Sequence, residues 1–343
     1  MLQSPISRRA VGARFVAALG ALTLGITLTA CSSGDDTNTP PASTSTEVTG
    51  EWPRTVETAD GPVTLESRPE RIVSTSVTLT GSLLALDAPL IGTGAQPPST
   101  VTDDAGLFSQ WAEIAEERDV EVLYQGEPNI ETITAAGPDL IVVSTSGADS
   151  ASERVDLLSQ IAPVLVFDYS DKSWQDLTRQ LATAVGAEDR AEELITEFDA
   201  TIEKAKEAIA PVLAQNPTLS ILTYNSPNDS RIFTAESAQG RLAARLGFTV
   251  AAVPDEVARP GDGNARSDVV SVAVENLPLA LTGDTTFVIN ATDPDAARLK
   301  ADPTLASVPS VENDRVYALG YDSFRLDYYS ANNVVERIVD ALS

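Results

Sequence analysis

The sequence predicts an α/β protein made of two α/β lobes joined by one long α-helix, on three observations. From Arg68 onward, short apolar runs alternate with stretches of helical spacing, the pattern of layered α/β folds. Residues 173–209 contain no proline and carry Leu194, Phe198, Ile202 and Ile209 at helical spacings among many Glu and Lys, as an amphipathic helix does. A second alternating pattern then runs to the C-terminus.

In the first lobe, Arg71-Ile72-Val73-Ser74 reads as a strand, residues 79–86 as a helix and 90–94 as the next strand and turn. Residues 129–136 form a helix stopped by Gly137-Pro138, a glycine then a proline at a helix end. A buried strand at 139–143, a helix at 155–161 and a strand at 164–167 follow. The long helix is expected to break once near Gly186-Ala187, with Pro211 and Pro217 flanking its exit. In the second lobe, strands are expected at 219–224, 286–290 and 315–319, and helices at 238–246, 274–279 and from Tyr329 to the end. The expected divisions are a leader over 1–30, a tether over 31–55, a first lobe over 56–170, the connecting helix over 171–215 and a second lobe over 216–343. A single rigid connecting helix permits only small closing motions, so a ligand would sit in a cleft between lobes with little hinge bending.

Composition narrows the chemistry. The chain has 343 residues, a formal charge of −27, no His and one Cys. The charge argues against nucleic acid as a partner. His-based triads, His-rich zinc sites and intramolecular disulfides are excluded by the residue counts. There is no Gly-x-Ser-x-Gly or Ser-x-x-Lys motif, which argues against a serine hydrolase. Paired carboxylates of a glycosidase kind stay open in a chain with 50 acids, although no spacing points to a pair.

The N-terminal segment has a basic start at Arg8 and Arg9 and an apolar stretch over residues 15–30, too short and interrupted for a membrane span and suited to a signal peptide. It ends in Leu28-Thr29-Ala30-Cys31, which resembles the bacterial lipoprotein box. Cys31 is thus the expected lipidation site and mature N-terminus, leaving the protein anchored to the cell membrane on its extracytoplasmic side. The Ser, Thr and Pro-rich run after it has the composition of a flexible tether. Whether Arg8-Arg9 directs twin-arginine export or the general route is used stays open.

Four stretches carry a family resemblance: Arg71-Ile72-Val73-Ser74-Thr75-Ser76-Val77-Thr78-Leu79-Thr80-Gly81, Asp171-Lys172-Ser173-Trp174-Gln175, Glu236-Ser237-Ala238-Gln239-Gly240 and Phe324-Arg325-Leu326-Asp327-Tyr328-Tyr329. They are similar to the ferric-catecholate branch of the helical-backbone substrate-binding proteins that serve ABC importers. The resemblance covers roughly residues 56–343. It implies lobes with mostly parallel sheets, no catalytic activity, a ferric catecholate siderophore as ligand and a membrane permease as partner. It also implies no cofactor and no protein metal site, because the siderophore itself fills the coordination shell of Fe3+. A carrier that presents both lobes to one permease is most simply a monomer. A hydroxamate siderophore, a corrinoid or haem are the alternative cargoes.

A ferric tris-catecholate is a trianion with outward-facing rings, so its receptor calls for guanidinium groups beside aromatic walls. By resemblance, Arg325 and Arg266 are the expected ligand contacts; the competing reading for each is a surface ion pair with Asp268, Asp322 or Asp327. Phe233 stands where the family places a Trp, and the loop at 96–101 lacks the Arg the family has in the first lobe. Tyr124, Tyr169 and Tyr224 end or follow predicted strands, where loops face the cleft in α/β lobes; ordinary packing is the alternative for each. Trp174, at the start of the long helix, either packs between lobes or touches ligand. Glu236 is the expected permease-docking acid of the second lobe, with Glu153 and Asp149 as candidates in the first. Residues 31–170 carry a net −18 and 216–343 a net −7, so the ligand charge is expected to be met from the second lobe.

Overall fold

The protein is described from a computed structural model covering residues 52–170, 172–226, 229–257 and 267–343. The expected leader and lipidation site at Cys31, and the expected ligand contact Arg266, lie outside the described residues.

A short antiparallel hairpin opens the body, strands β1 (Arg54–Thr58) and β2 (Gly61–Leu65). Arg54, expected in the tether, is instead 9% exposed, donating from Nη1 to the Thr183 carbonyl at 2.7 Å and pairing with Glu188. The folded chain therefore includes Arg54, which its polar sequence neighbourhood did not announce.

The first lobe then follows as β3 (Ile72–Ser74), α1 (Val77–Ala85), β4 (Leu90–Ala95), α2 (Ala112–Glu117), β5 (Glu121–Gln125), α3 (Ile130–Ala136), β6 (Leu140–Ser144), α4 (Val155–Leu158) and β7 (Val164–Phe167). Its five strands are all parallel, in the order β5-β4-β3-β6-β7. Strand order reverses at β3, and in open parallel sheets the crevice beyond the carboxyl ends of strands at such a reversal is where ligands bind. The chain leaves β3, β6 and β7 at that edge, into Thr78, Ser146, Gly147 and Tyr169.

Two helices connect the lobes: α5 (Trp174–Val185) and α6 (Glu188–Leu213). The break sits at Gly186, left-handed at φ 69°, where the sequence places it. Helix α6 continues past Pro211 to Leu213, slightly beyond the exit that proline marks. Its 26 residues span about 39 Å. Ala191 and Leu194 on its first turns enter the core of the first lobe, whereas Phe198, Ile202 and Ile209 enter that of the second. One rigid element is thus bolted into two cores, each fully buried Phe or Ile contributing roughly 1.5–3 kcal/mol.

The second lobe contains β8 (Thr218–Ser226), β9 (Asp229–Phe233), α7 (Ala238–Leu246), β10 (Thr249–Val250), β11 (Val269–Val272), α8 (Leu277–Ala280), β12 (Thr285–Val288), α9 (Asp293–Ala301), α10 (Pro309–Glu312), β13 (Val316–Ala318) and α11 (Tyr328–Leu342). Its sheet runs β11-β9-β8-β12-β13, with β10 also on β8. Strands β8, β10, β12 and β13 pair in parallel, while β9 lies antiparallel between β8 and β11. Helix α11 packs Val334, Val335 and Ile338 into the same core as α6.

Candidate functional site

A cleft of about 1060 Å³ lies between the lobes. From the first lobe it is lined by Thr78, Ser82, Phe108, Ser146, Gly147 and Tyr169, and from the second by Phe233, Glu236, Gln239, Arg241, Phe324 and Arg325; Lys172 and Trp174 line it at the start of α5. The two walls differ in chemistry. The first presents hydroxyls and rings; the second adds guanidinium groups beside two phenyl rings.

Arg325 rides on a segment tied down residue by residue. Gln239 on α7 donates from Nε2 to the Ser323 and Phe324 carbonyls at 2.9 and 2.8 Å. Ser330 Oγ donates to the Arg325 carbonyl at 2.9 Å. Asp327 caps α11, accepting from Ser330 N–H at 2.8 Å, while Ser330 Oγ accepts from Asp327 N–H. With its backbone fixed in this way, the Arg325 side chain crosses the cleft. Its Nη1 donates to Thr78 Oγ1 at 2.9 Å and to the Tyr169 hydroxyl at 2.8 Å, and its carbon stands 5.6 Å from the Tyr169 ring centroid. Neighbouring acids are occupied elsewhere: Asp322 pairs with Arg337, and Asp327 holds Ser330 and Gln110. Among the described residues Arg325 makes no ion pair, so the ordinary surface pairing weighed from sequence is not what holds it.

Behind Tyr169 stands Asp149. Its Oδ1 accepts from the Tyr169 hydroxyl at 2.9 Å and its Oδ2 from Thr78 N–H at 3.0 Å and from Ser76 Oγ. Burial, with Asp149 next, pushes the Tyr169 hydroxyl above its ordinary value, against the opposing pull of Arg325. Asp149 was expected as a rim acid offered to a permease. That expectation is corrected: both its oxygens are committed inward, which a contact between residues 71 to 73 positions apart in the chain decides. Glu153 and Glu236 are exposed, Glu236 at the mouth of the cleft.

The aromatic wall pairs Phe233 and Phe324 edge to face with centroids 6.3 Å apart. Phe233 is 8% exposed and Phe324 39%. Trp174 lines the cleft and also packs edge-on to Phe198 and Tyr328 at 5.1 and 5.8 Å, so it serves inter-lobe packing and the wall together.

Two tyrosines expected at the cleft are elsewhere. Tyr124 turns its hydroxyl to the Thr75 carbonyl at 3.1 Å, packed over Gly94, and burial raises it well beyond the usual phenol range. Tyr224 donates to Asp302 at 2.9 Å beside the core formed by Leu222, Val288 and Leu299. Both lie within their strands rather than beyond the strand ends, and their side chains follow the sheet face. Sequence reading singled out neither Thr78, Gln239, Arg241 nor Phe324. The strand-end rule, applied to the residues after β3, and the adjacency of Phe324 to Arg325 would have pointed to two of them. Among the described residues no group of three or more Cys, Asp or Glu side chains is placed to hold a metal ion.

A family profile described as periplasmic binding protein matches residues 72–322. The ferric enterobactin-binding periplasmic protein FepB of Escherichia coli is 45% identical over 289 residues, 84% of this chain and 90% of that protein. The iron(3+)-hydroxamate-binding protein YxeB of Bacillus subtilis is 26% identical over 84% of this chain and 85% of its own length. Among solved structures, holo-ViuP superposes with a TM-score of 0.73 at 35% identity, covering 86% of this chain and 96% of that one.

Proposed function

The chain belongs to the periplasmic binding protein family, and we propose that within it this protein captures a ferric catecholate siderophore, ferric enterobactin or a close relative, and delivers it to the permease of an ABC importer. The observation that carries the ligand is Arg325, a guanidinium with no carboxylate partner among the described residues, held in a cleft walled by Phe233, Phe324 and Tyr169. A ferric tris-catecholate offers phenolate oxygens to such a group and ring faces to such walls. The likeness to FepB supports the same cargo.

Iron arrives with its six coordination positions filled by the siderophore, so the protein binds oxygens and rings and contributes no metal ligand. Arg325, Phe233, Trp174 and Tyr169 contact the ligand, and Arg266 supplies a second cation. The protein is a carrier and performs no chemistry on its cargo. Cys31 is lipidated after cleavage of the leader, and the following run tethers a monomeric body to the outer face of the cell membrane. Glu153 and Glu236, exposed on the two lobes, dock to the permease.

Deletion of the protein from its host tests this directly. Uptake of radioactive iron supplied as ferric enterobactin should be lost and regained with the full chain, while uptake from a ferric hydroxamate persists. Undiminished uptake of the catecholate in a host with no second carrier would overturn the proposal.

A further inference from the structure

Behind the lining of the cleft proposed for a trianion, on the far side of the Tyr169 hydroxyl, stands a carboxylate, Asp149. Asp149 stands one hydroxyl away from Arg325 in the wall contributed by the more acidic lobe, where its charge repels the proposed ligand. Its hydrogen bonds show what it supplies in return.

A phenol has one proton to donate. Tyr169 gives it to Asp149 Oδ1 at 2.9 Å, because an ionised carboxylate can only accept. The lone pairs of the Tyr169 oxygen are thereby left facing Arg325, whose Nη1 donates to them at 2.8 Å. Burial and the charge of Asp149 both favour the protonated phenol, in keeping with that direction. The second acceptor of Nη1 depends on Asp149 as well: Thr78 is held through its N–H on Oδ2, and Ser76 Oγ donates to the same oxygen. The corner is closed by Gly147, at φ 77°, where any Cβ would collide with the Tyr169 hydroxyl. Only Nη1 of the guanidinium is bonded among the described residues, and the edge carrying Nε and Nη2 remains to meet a ligand.

Resting on the proposed catecholate cargo, we propose that Asp149 is a positioning residue: it fixes the Tyr169 and Thr78 oxygens as acceptors that pin Nη1 of Arg325, so that the Nε and Nη2 edge of the guanidinium is presented as a preformed fork to the phenolate oxygens of the ligand. The first lobe then supplies orientation and the second supplies charge. A guanidinium held in one rotamer loses less freedom on binding than a loose one.

The test is a double-mutant cycle on the full chain, with dissociation constants for ferric enterobactin measured for wild type, Asp149→Asn, Arg325→Ala and the double variant. Asn can reverse the Tyr169 hydrogen bond by donating to it. Asp149→Asn is expected to weaken binding at least about fivefold in the wild-type background. In the Arg325→Ala background it should leave affinity unchanged or improve it, since only the repulsion is then removed. Tyr169→Phe, which keeps the ring and deletes the acceptor, should weaken binding more in the wild-type than in the Arg325→Ala background and covers the case in which Asp149→Asn fails to fold. Equal weakening in both backgrounds would mean a merely structural role, and no weakening in the wild-type background would exclude positioning; either overturns the inference while leaving the cargo assignment intact. A wild-type protein that does not bind ferric enterobactin would overturn both.

Discussion

Arg325 in the second lobe donates through Nη1 to the hydroxyl of Tyr169 in the first, 2.8 Å away and 156 positions earlier in the chain. Besides the bond to Thr78, a further inter-lobe bond, from Gln110 Nε2 to Asp327 Oδ2 at 3.0 Å, lies two residues along from Arg325. The segment that carries the candidate ligand contact is therefore also a seam between lobes.

Replacing Arg325 by Ala should weaken a ferric tris-catecholate by about tenfold or more, the value of one charge-assisted contact of ~1.5 kcal/mol. The unfolding midpoint should stay close to wild type, since the bonds lost are partly exposed. Titration and thermal melting of the same samples check both halves.

The two phenyl rings should separate stability from binding. Phe324 is 39% exposed and Phe233 8%. Phe324→Ala should lower affinity with little change in stability, whereas Phe233→Ala should also cost about 3 kcal/mol of folding free energy. Denaturant unfolding of the two variants distinguishes them.

Most of the fold was legible because it rests on local periodicity. The helix break at Gly186 and the strands at 72–74, 140–144 and 164–167 are written in apolar runs and a glycine. The hairpin at 54–65 and the antiparallel β9 and β11 were not: their strands of five, five, five and four residues are too short, and in β9 and β11 too irregular in polar and apolar order, to be distinguished from loop. At the site, Arg325 was legible by resemblance. The inward turn of Asp149 onto Ser76, Thr78 and Tyr169, and the placement of Tyr124 and Tyr224 within their sheets, depend on contacts between distant segments. Asp149 alone looks like any surface acid of a strongly acidic chain.

Gly81 of α1 marks a second close approach between lobes. A Cβ there would stand 2.7 Å from Trp111 Nε1 and 2.8 Å from Asp327 Oδ2. Trp111 is fully buried and cannot swing aside, so Gly81→Ala should destabilise by roughly 1–3 kcal/mol despite the better helix propensity of Ala. A lowered denaturant midpoint is the expected reading.

Burial raises the carboxyl of Asp327 above its ordinary value of 3.8, with the bonds from Ser330 and Gln110 opposing. The folded state then holds this proton more tightly than the unfolded state does. Its contribution to stability is greatest at acid pH and is lost as pH rises from about 4 through the raised folded value. Asp327→Asn keeps a side chain equally able to cap α11 and removes this titration. The difference in unfolding free energy, variant minus wild type, should increase with pH across that window and level off above it. A difference independent of pH would refute the assignment.

Trp174 on the wall of the cleft proposed to take a ferric catecholate provides a signal for binding. The purified protein should be titrated with ferric enterobactin and, under the same conditions, with a ferric hydroxamate, following tryptophan fluorescence. Saturable quenching by the catecholate at one ligand per chain, with none by the hydroxamate, is the predicted result; tight binding of the hydroxamate alone, or of neither complex, would contradict it.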